Sequence, residues 1–219
     1  LTGDFFELMT SRGLVRGAFL DAHHLLIEGP VIPDDTPPKL ACRRAGVRTL
    51  VGAAGHFDPA RIEADIEAAI RDRRRWLERQ FVPPGLPPAR RRALVKAFSV
   101  MKTQVMTPEG IIRRRWTTPD RWPHRAMWLW DSAFHVAGWR RLDPALAREF
   151  LEAVLDGQQP DGRVPHMISP TVCSDITQPP VLALAAERLD RCAPDDAWLA
   201  RMYPGLCRYV RWDMAHRDS

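Results

Sequence analysis

The spacing of apolar residues changes at Asp58, and this change constrains the fold more than any other feature of the sequence. From there onward, apolar side chains recur at intervals of three and four residues, as in amphipathic helices. Two pairs, Asp58-Pro59 and Asp143-Pro144, combine a helix-capping carboxylate with a proline suited to the first helical position. The pattern predicts six helices, which start near residues 59, 88, 132, 144, 180 and 196.

Residues 1–57 instead contain the short apolar stretches that are typical of strands. Three such stretches are Gly13–Phe19, His24–Ile27 and Arg43–Val51. We therefore predict a mainly α chain with a short β-rich N-terminal segment, the remnant of a β domain. The expected division is residues 1–57 for this segment and residues 58–219 for the helical domain.

The charge distribution gives little support to a nucleic-acid binder. The formal net charge is +5, and arginine runs at 73–75, 90–92 and 113–115 could neutralise phosphates. Acidic residues such as Asp72 and Glu78 are interspersed around the first run, which is typical of a solvated helix face. No apolar run reaches the 18 residues or so that a transmembrane helix needs. We expect neither a nucleic acid nor a membrane as a partner.

The four cysteines follow neither a metal-binding nor a disulfide pattern. They are Cys42, Cys173, Cys192 and Cys207, and no two are separated by only two residues. Free thiols in a reducing compartment are the simplest interpretation. The cysteines therefore favour a cytoplasmic location.

A tryptophan-rich segment from Arg121 to His135 combines the residue types that recognise sugars. Five of the eight tryptophans lie between positions 116 and 139. Flat aromatic rings pack against the C–H faces of a sugar, while carboxylates and guanidinium groups bind its hydroxyls. Asp131 lies at the predicted start of a helix, where it could equally act as a cap. Trp128 and Trp130 beside it could equally belong to the core.

A metal site in this segment is the weaker interpretation. Asp131 and His135 are four residues apart, on one helix face, and His124 is nearby. A site needs at least three protein ligands, and the sequence offers only His166 as a further candidate. We expect no metal. A Ser-His-Asp hydrolase is also disfavoured, because no nucleophile elbow of the Gly-x-Ser-x-Gly type is present.

Two later segments add polar groups on irregular chain. The first, residues 158–168, contains the tight turn Asp161-Gly162 and then Pro165-His166, which presents an imidazole from a loop. The second, residues 174–180, places Gln178 directly before Pro179-Pro180 and a predicted helix. Gln178 could serve the helix entry or a ligand there.

Taken in order, these three segments resemble the (α/α)6-barrel glycosidases. They are similar above all to glycoside hydrolase family 63 and the mannosylglycerate-hydrolase-like enzymes, with trehalases as more distant relatives. The resemblance covers about residues 90–219. It implies a partial (α/α)6 toroid of helical hairpins and inverting hydrolysis of an α-linked glucoside or mannoside. It also implies a small sugar or oligosaccharide as the substrate and no cofactor.

The resemblance assigns sugar-binding roles residue by residue. Asp131 matches the carboxylate that holds hydroxyls of the sugar in the −1 subsite, and Trp130 matches the wall beside it. Gln178 matches the glutamine of the family's Gln-Pro-Pro motif. His166 replaces the asparagine of trehalases, which argues against trehalose as the substrate. The complete predicted subsite is Arg125, Trp128, Trp130, Asp131, His166 and Gln178.

The same resemblance assigns no catalytic residue to this sequence. Tyr209–Trp212 and Arg217-Asp218 are similar to the helix that leads into a Glu-Ser-Gly-x-Asp loop, which carries the family's general acid. The acid and the base are therefore expected C-terminal to Ser219, and six helices are half of the twelve in a complete ring. We expect an inactive fragment of a glycosidase, with the rest of the barrel in a longer chain. The alternative is a non-catalytic carbohydrate-binding or scaffold protein.

Overall fold

A computed structural model describes residues 3–31, 39–121 and 123–217, and these form two compact units. The boundary between the units follows Thr103. The change from strands to helices predicted at residues 57 and 58 falls inside the first unit. Trp122 and Asp218, which belong to the sequence patterns discussed above, lie outside the described residues.

The first unit is built on a five-stranded antiparallel sheet within its described residues. The strands are β1 (Phe5–Thr10), β2 (Gly13–Phe19), β3 (His24–Glu28), β4 (Leu40–Ala45) and β5 (Arg48–Ala53). They pair in the order β1-β2-β3-β5-β4, and Gly46 turns the chain between β4 and β5 with a φ of 56°. The left-handed backbone at this turn favours glycine over any residue with a Cβ.

Two helices complete the first unit, α1 (Ile66–Glu78) and α2 (Pro88–Thr103). Asp58 caps a short 3-10 helix rather than α1, whose cap is Asp65, with Oδ1 3.0 Å from the amide of Ala68. The apolar stripe of α1 joins the alternate inward side chains of the sheet in one buried core. That core consists of Ala18, Leu26, Leu50, Ile62, Ile66 and Ile70.

The predicted fold class, a mainly α chain forming a partial (α/α)6 toroid, is wrong. The structure mixes α and β, with a substantial antiparallel sheet in the N-terminal region and its helices divided between two units. The edge strands β1 and β4 were missed because most of their side chains are exposed and show little apolar alternation. The stretch Arg43–Val51, interpreted as one strand, contains the end of β4, a turn and most of β5.

The second unit contains four helices and two short strand pairs among its described residues. The elements are β6 (Val105–Met106), β7 (Trp116–Thr117), β8 (Met127–Trp128), α3 (Leu129–Leu142), α4 (Pro144–Asp156), β9 (Met167–Ile168), α5 (Val181–Cys192) and α6 (Asp196–Arg217). Strand β6 pairs with β7, and β8 pairs with β9. The second pair joins the chain just before α3 to the segment that contains His166.

The helix starts predicted near residues 144, 180 and 196 are confirmed to within one residue, while α3 starts three residues before position 132.

Tryptophans in and next to the segment from Arg121 to His135 contribute to both the core and the surface of the second unit. Trp116 and Trp139 are buried, and the ring of Trp139 meets Phe150 edge to face at a centroid distance of 5.9 Å. Trp128 is half-buried and Trp130 is 42% exposed. The described tryptophans of this region thus include both packing residues and residues with solvent-exposed surface.

Many of the arginines in the basic runs take part in ion pairs. Arg114 pairs with Glu152 and Asp156 on α4, and Arg115 pairs with Glu149 on the same helix. These contacts neutralise the guanidinium groups locally, as expected for a charged protein surface. No helix within the described ranges is both long and apolar enough to cross a bilayer.

The Asp143 cap provides a test of the fold. Its Oδ1 accepts a hydrogen bond of 3.0 Å from the amide of Leu146 at the start of α4. We predict that Asp143→Ala lowers the free energy of unfolding by about 1 kcal/mol, because an amide at the helix end loses its acceptor. Asp143→Asn is the matched control, since it keeps an acceptor oxygen. Denaturant titrations followed by circular dichroism would contradict the assignment if both variants lost equal stability.

Candidate functional site

The candidate site is built around the N-terminus of α3. Strand β8 leads directly into the helix, whose first residue is Leu129 and whose N-cap residue is Trp128. Trp130 and Asp131 therefore lie in the first helical turn. Trp128 provides no side-chain acceptor, so the amides of this turn need one from elsewhere in the chain.

Gln178 supplies that acceptor from 48 residues further along the chain. Its Oε1 accepts a hydrogen bond of 3.0 Å from the backbone N–H of Trp130. The contact joins two of the three segments that the sequence singled out. Because Oε1 accepts from the helix, the amide N–H2 group of Gln178 is the part of this side chain that remains for a ligand.

On the other side, the buried hydroxyl of Tyr209 and the half-buried hydroxyl of Thr177 lie next to the backbone of Gln178. Tyr209 on α6 is buried, and its phenol donates a hydrogen bond to the backbone carbonyl of Gln178. The hydroxyl of Thr177 donates to the carbonyl of Val164 at 2.6 Å and lies 2.7 Å from the phenol oxygen of Tyr209. The position of Gln178 is therefore set by the packed helix α6 as well as by α3.

His166 brings the remaining segment to the same place. Its carbonyl accepts from the amide of Leu129 at 3.0 Å, and its Nδ1 lies 2.6 Å from the hydroxyl of Ser174. Its ring meets Trp128 edge to face, with centroids 5.2 Å apart. The indole N–H of Trp128 donates to the carbonyl of His124 at 3.1 Å. The rings of Trp128 and His166 are thus fixed side by side at the entry to α3.

Arg125 is engaged elsewhere. Its guanidinium forms an ion pair with Glu109 and lies 5.7 Å from the centroid of the Trp116 ring. Among the residues that the structure describes, Arg125 forms no hydrogen bond or ion pair with the other five predicted site residues. The guanidinium group has five N–H donors, however, and a single carboxylate cannot accept hydrogen bonds from all of them.

Asp131 keeps its carboxylate available. It is half-buried, and within the described parts of the chain no group donates a hydrogen bond to it. Its charge acts on His135, one turn later, where it opposes the effect of burial on the imidazole pKa. His124, the further metal ligand considered above, instead pairs with Asp120 at 2.8 Å. The arrangement offers an acceptor, amide donors and aromatic faces, which together suit a polyhydroxylated ligand.

Three supporting residues were missed by sequence reasoning. The sequence did not single out Glu109, and Tyr209 was noted only as part of the helix that leads into the family's next motif. Ser174 lies in a segment that the sequence had singled out, but nothing identified its pairing with His166. Each acts through a contact between distant parts of the chain, for which a single sequence carries no local signal.

A sizeable cavity lies away from these residues. It occupies about 550 Å³ between α5 and α6, and Ala186, Tyr203 and Leu206 are among the residues that line it. None of the six predicted site residues lines this cavity. The predicted site residues at the start of α3 instead border the solvent, because Trp130 is exposed. Phe134, one turn later, is also exposed, and its ring centroid lies 6.4 Å from that of Trp130.

Comparison with known proteins finds relatives that cover just under half of the chain. A mannosylglycerate hydrolase of Thermus thermophilus is 34% identical over 131 aligned residues, which cover 48% of this chain and 32% of the relative. A glucosylglycerate hydrolase of Mycolicibacterium hassiacum is 28% identical over 134 residues, covering 46% of this chain and 30% of the relative. Mannosylglycerate hydrolase MGH1 of Selaginella moellendorffii is 29% identical over 126 residues, covering 47% and 26%.

The chain therefore spans no more than about a third of the length of these curated relatives. Residues 123–219 match the family model described as the mannosylglycerate hydrolase MGH1-like glycoside hydrolase domain. This range contains all six predicted site residues, including the Trp130–Gln178 contact at the start of α3. Over residues 123–219, the chain is similar to the mannosylglycerate hydrolase MGH1-like glycoside hydrolase domain, and it carries part of a domain of this kind.

Proposed function

We propose that this chain provides the −1 sugar-binding subsite of an inverting glycoside hydrolase that acts on an α-linked glucoside or mannoside. The observation that carries the proposal is the hydrogen bond from the Trp130 amide to Gln178, which joins two family motifs beside the available carboxylate of Asp131. A −1 subsite needs such a cluster because it must hold one sugar ring in one orientation.

Asp131 is the central ligand in this proposal. A carboxylate accepts hydrogen bonds on both oxygens and can hold two neighbouring sugar hydroxyls at once. Trp130, 42% exposed in the same turn, provides the flat face on which the sugar C–H groups pack. The amide N–H2 of Gln178 adds a donor next to this acceptor. The three side chains lie on a helix and on a loop tied to it, which favours a preformed site.

Arg125, His166 and Trp128 complete the proposed subsite as its rim. His166 and Trp128 are held together by their edge-to-face contact and can flank a ligand on the α3 side. Arg125 contributes the donors that Glu109 leaves unused. The ion pair with Glu109 also fixes the direction of the guanidinium, so a sugar binds to it without first ordering a flexible side chain.

The names of the relatives suggest the substrate class. Mannosylglycerate and glucosylglycerate are both small molecules in which a hexose is joined to glycerate. We propose a glycosylglycerate of this kind as the substrate of the complete enzyme. The cytoplasmic location inferred from the cysteines stays a prediction.

Hydrolysis with inversion requires two further carboxyl groups. They stand about 6.5–9.5 Å apart on either side of the scissile bond, one as acid and one as base. In our proposal Asp131 binds the sugar, and Glu109 is already paired with Arg125. The 219-residue polypeptide is therefore proposed to bind the sugar without hydrolysing it.

Replacing Asp131 tests the binding role. We predict that Asp131→Asn weakens the binding of mannosylglycerate or glucosylglycerate by about 10- to 100-fold, because hydrogen bonds to a charged acceptor contribute about 1.5–3 kcal/mol. Titrations followed by tryptophan fluorescence provide the measurement, with the exposed Trp130 as reporter. Asp196→Asn, in the first turn of α6, is the control and should bind normally. Equal binding by both variants would remove Asp131 from the site.

The absence of hydrolysis is tested separately. We predict that the 219-residue polypeptide releases no glycerate or hexose from either glycosylglycerate above the rate of the buffer. It should nevertheless bind these compounds, because the proposed sugar-binding residues do not include the acid and base carboxyl groups that hydrolysis requires. Product analysis by chromatography after long incubation provides the measurement. Turnover at enzyme-like rates would show that the acid and base lie within this sequence.

A further inference from the structure

His135 lies one helical turn after Asp131 on α3 and was not included in the predicted subsite. Residues four apart on a helix share a face, and the charge of Asp131 acts on the His135 ring. Nδ1 of that ring lies 2.6 Å from the hydroxyl of Thr117 on β7. Thr117 is only 1% exposed, so this contact holds the ring against the interior of the unit.

The tautomer of His135 follows from the hydrogen bonds around it. Among the described residues, the Thr117 hydroxyl has no acceptor other than Nδ1 of His135. A buried hydroxyl proton requires an acceptor, so Thr117 donates to Nδ1 and the ring carries its proton on Nε2.

The ring is neutral near pH 7. Burial lowers the pKa of His135 below its ordinary value, and the charge of Asp131 only partly offsets this effect. A neutral imidazole with Nδ1 occupied presents a single donor, the Nε2–H group. In the described structure this group makes no hydrogen bond to protein.

We propose that the Nε2–H group of His135 binds a hydroxyl of the same sugar that Asp131 holds, which makes His135 a further specificity-determining residue. The inference rests on the proposed function, because Asp131 must first be a sugar ligand. Asp131 only accepts hydrogen bonds, whereas His135 on the same helix face donates one. A pair of neighbouring sugar hydroxyls can satisfy both residues, since each hydroxyl donates and accepts.

Two substitutions separate this role from a purely structural one. The amide nitrogen or oxygen of asparagine lies where Nδ1 lies in histidine, so His135→Asn keeps a partner for Thr117 and loses the group at Nε2. The longer glutamine places its amide near the position of Nε2, so His135→Gln keeps a donor there and loses the Thr117 contact. If His135 only anchors α3, the variants differ through the group at the Nδ1 position. If His135 binds the sugar, they differ through the donor at the Nε2 position.

The experiment measures binding of mannosylglycerate and glucosylglycerate to the 219-residue polypeptide by tryptophan fluorescence, together with unfolding by circular dichroism. We expect His135→Asn to bind about 3- to 10-fold more weakly with little change in the unfolding midpoint, as for one lost hydrogen bond. His135→Gln should keep its affinity within about twofold while unfolding more easily.

The opposite pattern, with normal affinity in His135→Asn, would overturn the inference while leaving the role of Asp131 intact. If His135→Asn does not fold, His135→Gln decides alone: retained affinity supports the inference, and a loss of more than about tenfold overturns it. Failure of the unchanged polypeptide to bind either compound would overturn the proposed function, and this inference with it.

Discussion

The hydrogen bond between the Trp130 amide and the Gln178 side chain is the interaction on which the candidate site depends. The first turn of any helix has amides without intrahelical acceptors, and the N-cap residue Trp128 offers none. The chain meets this requirement with a residue from another motif. The unpaired amide of Trp130 is thus satisfied by Gln178, which lies 48 residues further along the chain. The exposed ring of Trp130 and the carboxylate of Asp131 lie in the helical turn where these two segments meet.

The helical part of the fold was predictable because its signals are local. Asp143-Pro144 and the apolar spacing of α4 lie within a few residues of the helix they define, and the structure places that helix as expected. The sheet was underestimated because its edge strands, β1 and β4, are largely solvated on both faces. Their stability comes from pairing with β2 and β5, which no local pattern of apolar residues reveals.

The candidate site shows the same division between local and distant information. The sequence identified Trp130, Asp131 and Gln178 as residues suited to a sugar, but not that the first and last are hydrogen-bonded. Likewise, Arg125 was identified without its partner Glu109, which lies 16 residues earlier in a turn. Residue type and motif order can be seen in a single sequence, whereas the pairing of side chains follows from tertiary packing.

Tyr209 gives the site a property that its ligand groups alone would not have. Its phenol donates to the Gln178 carbonyl from a buried position, and burial raises the pKa of this phenol above its ordinary value. The proton needed for that bond is therefore retained well into alkaline solution. The contact by which Tyr209 holds the backbone of Gln178 therefore stays the same across the neutral and mildly alkaline range.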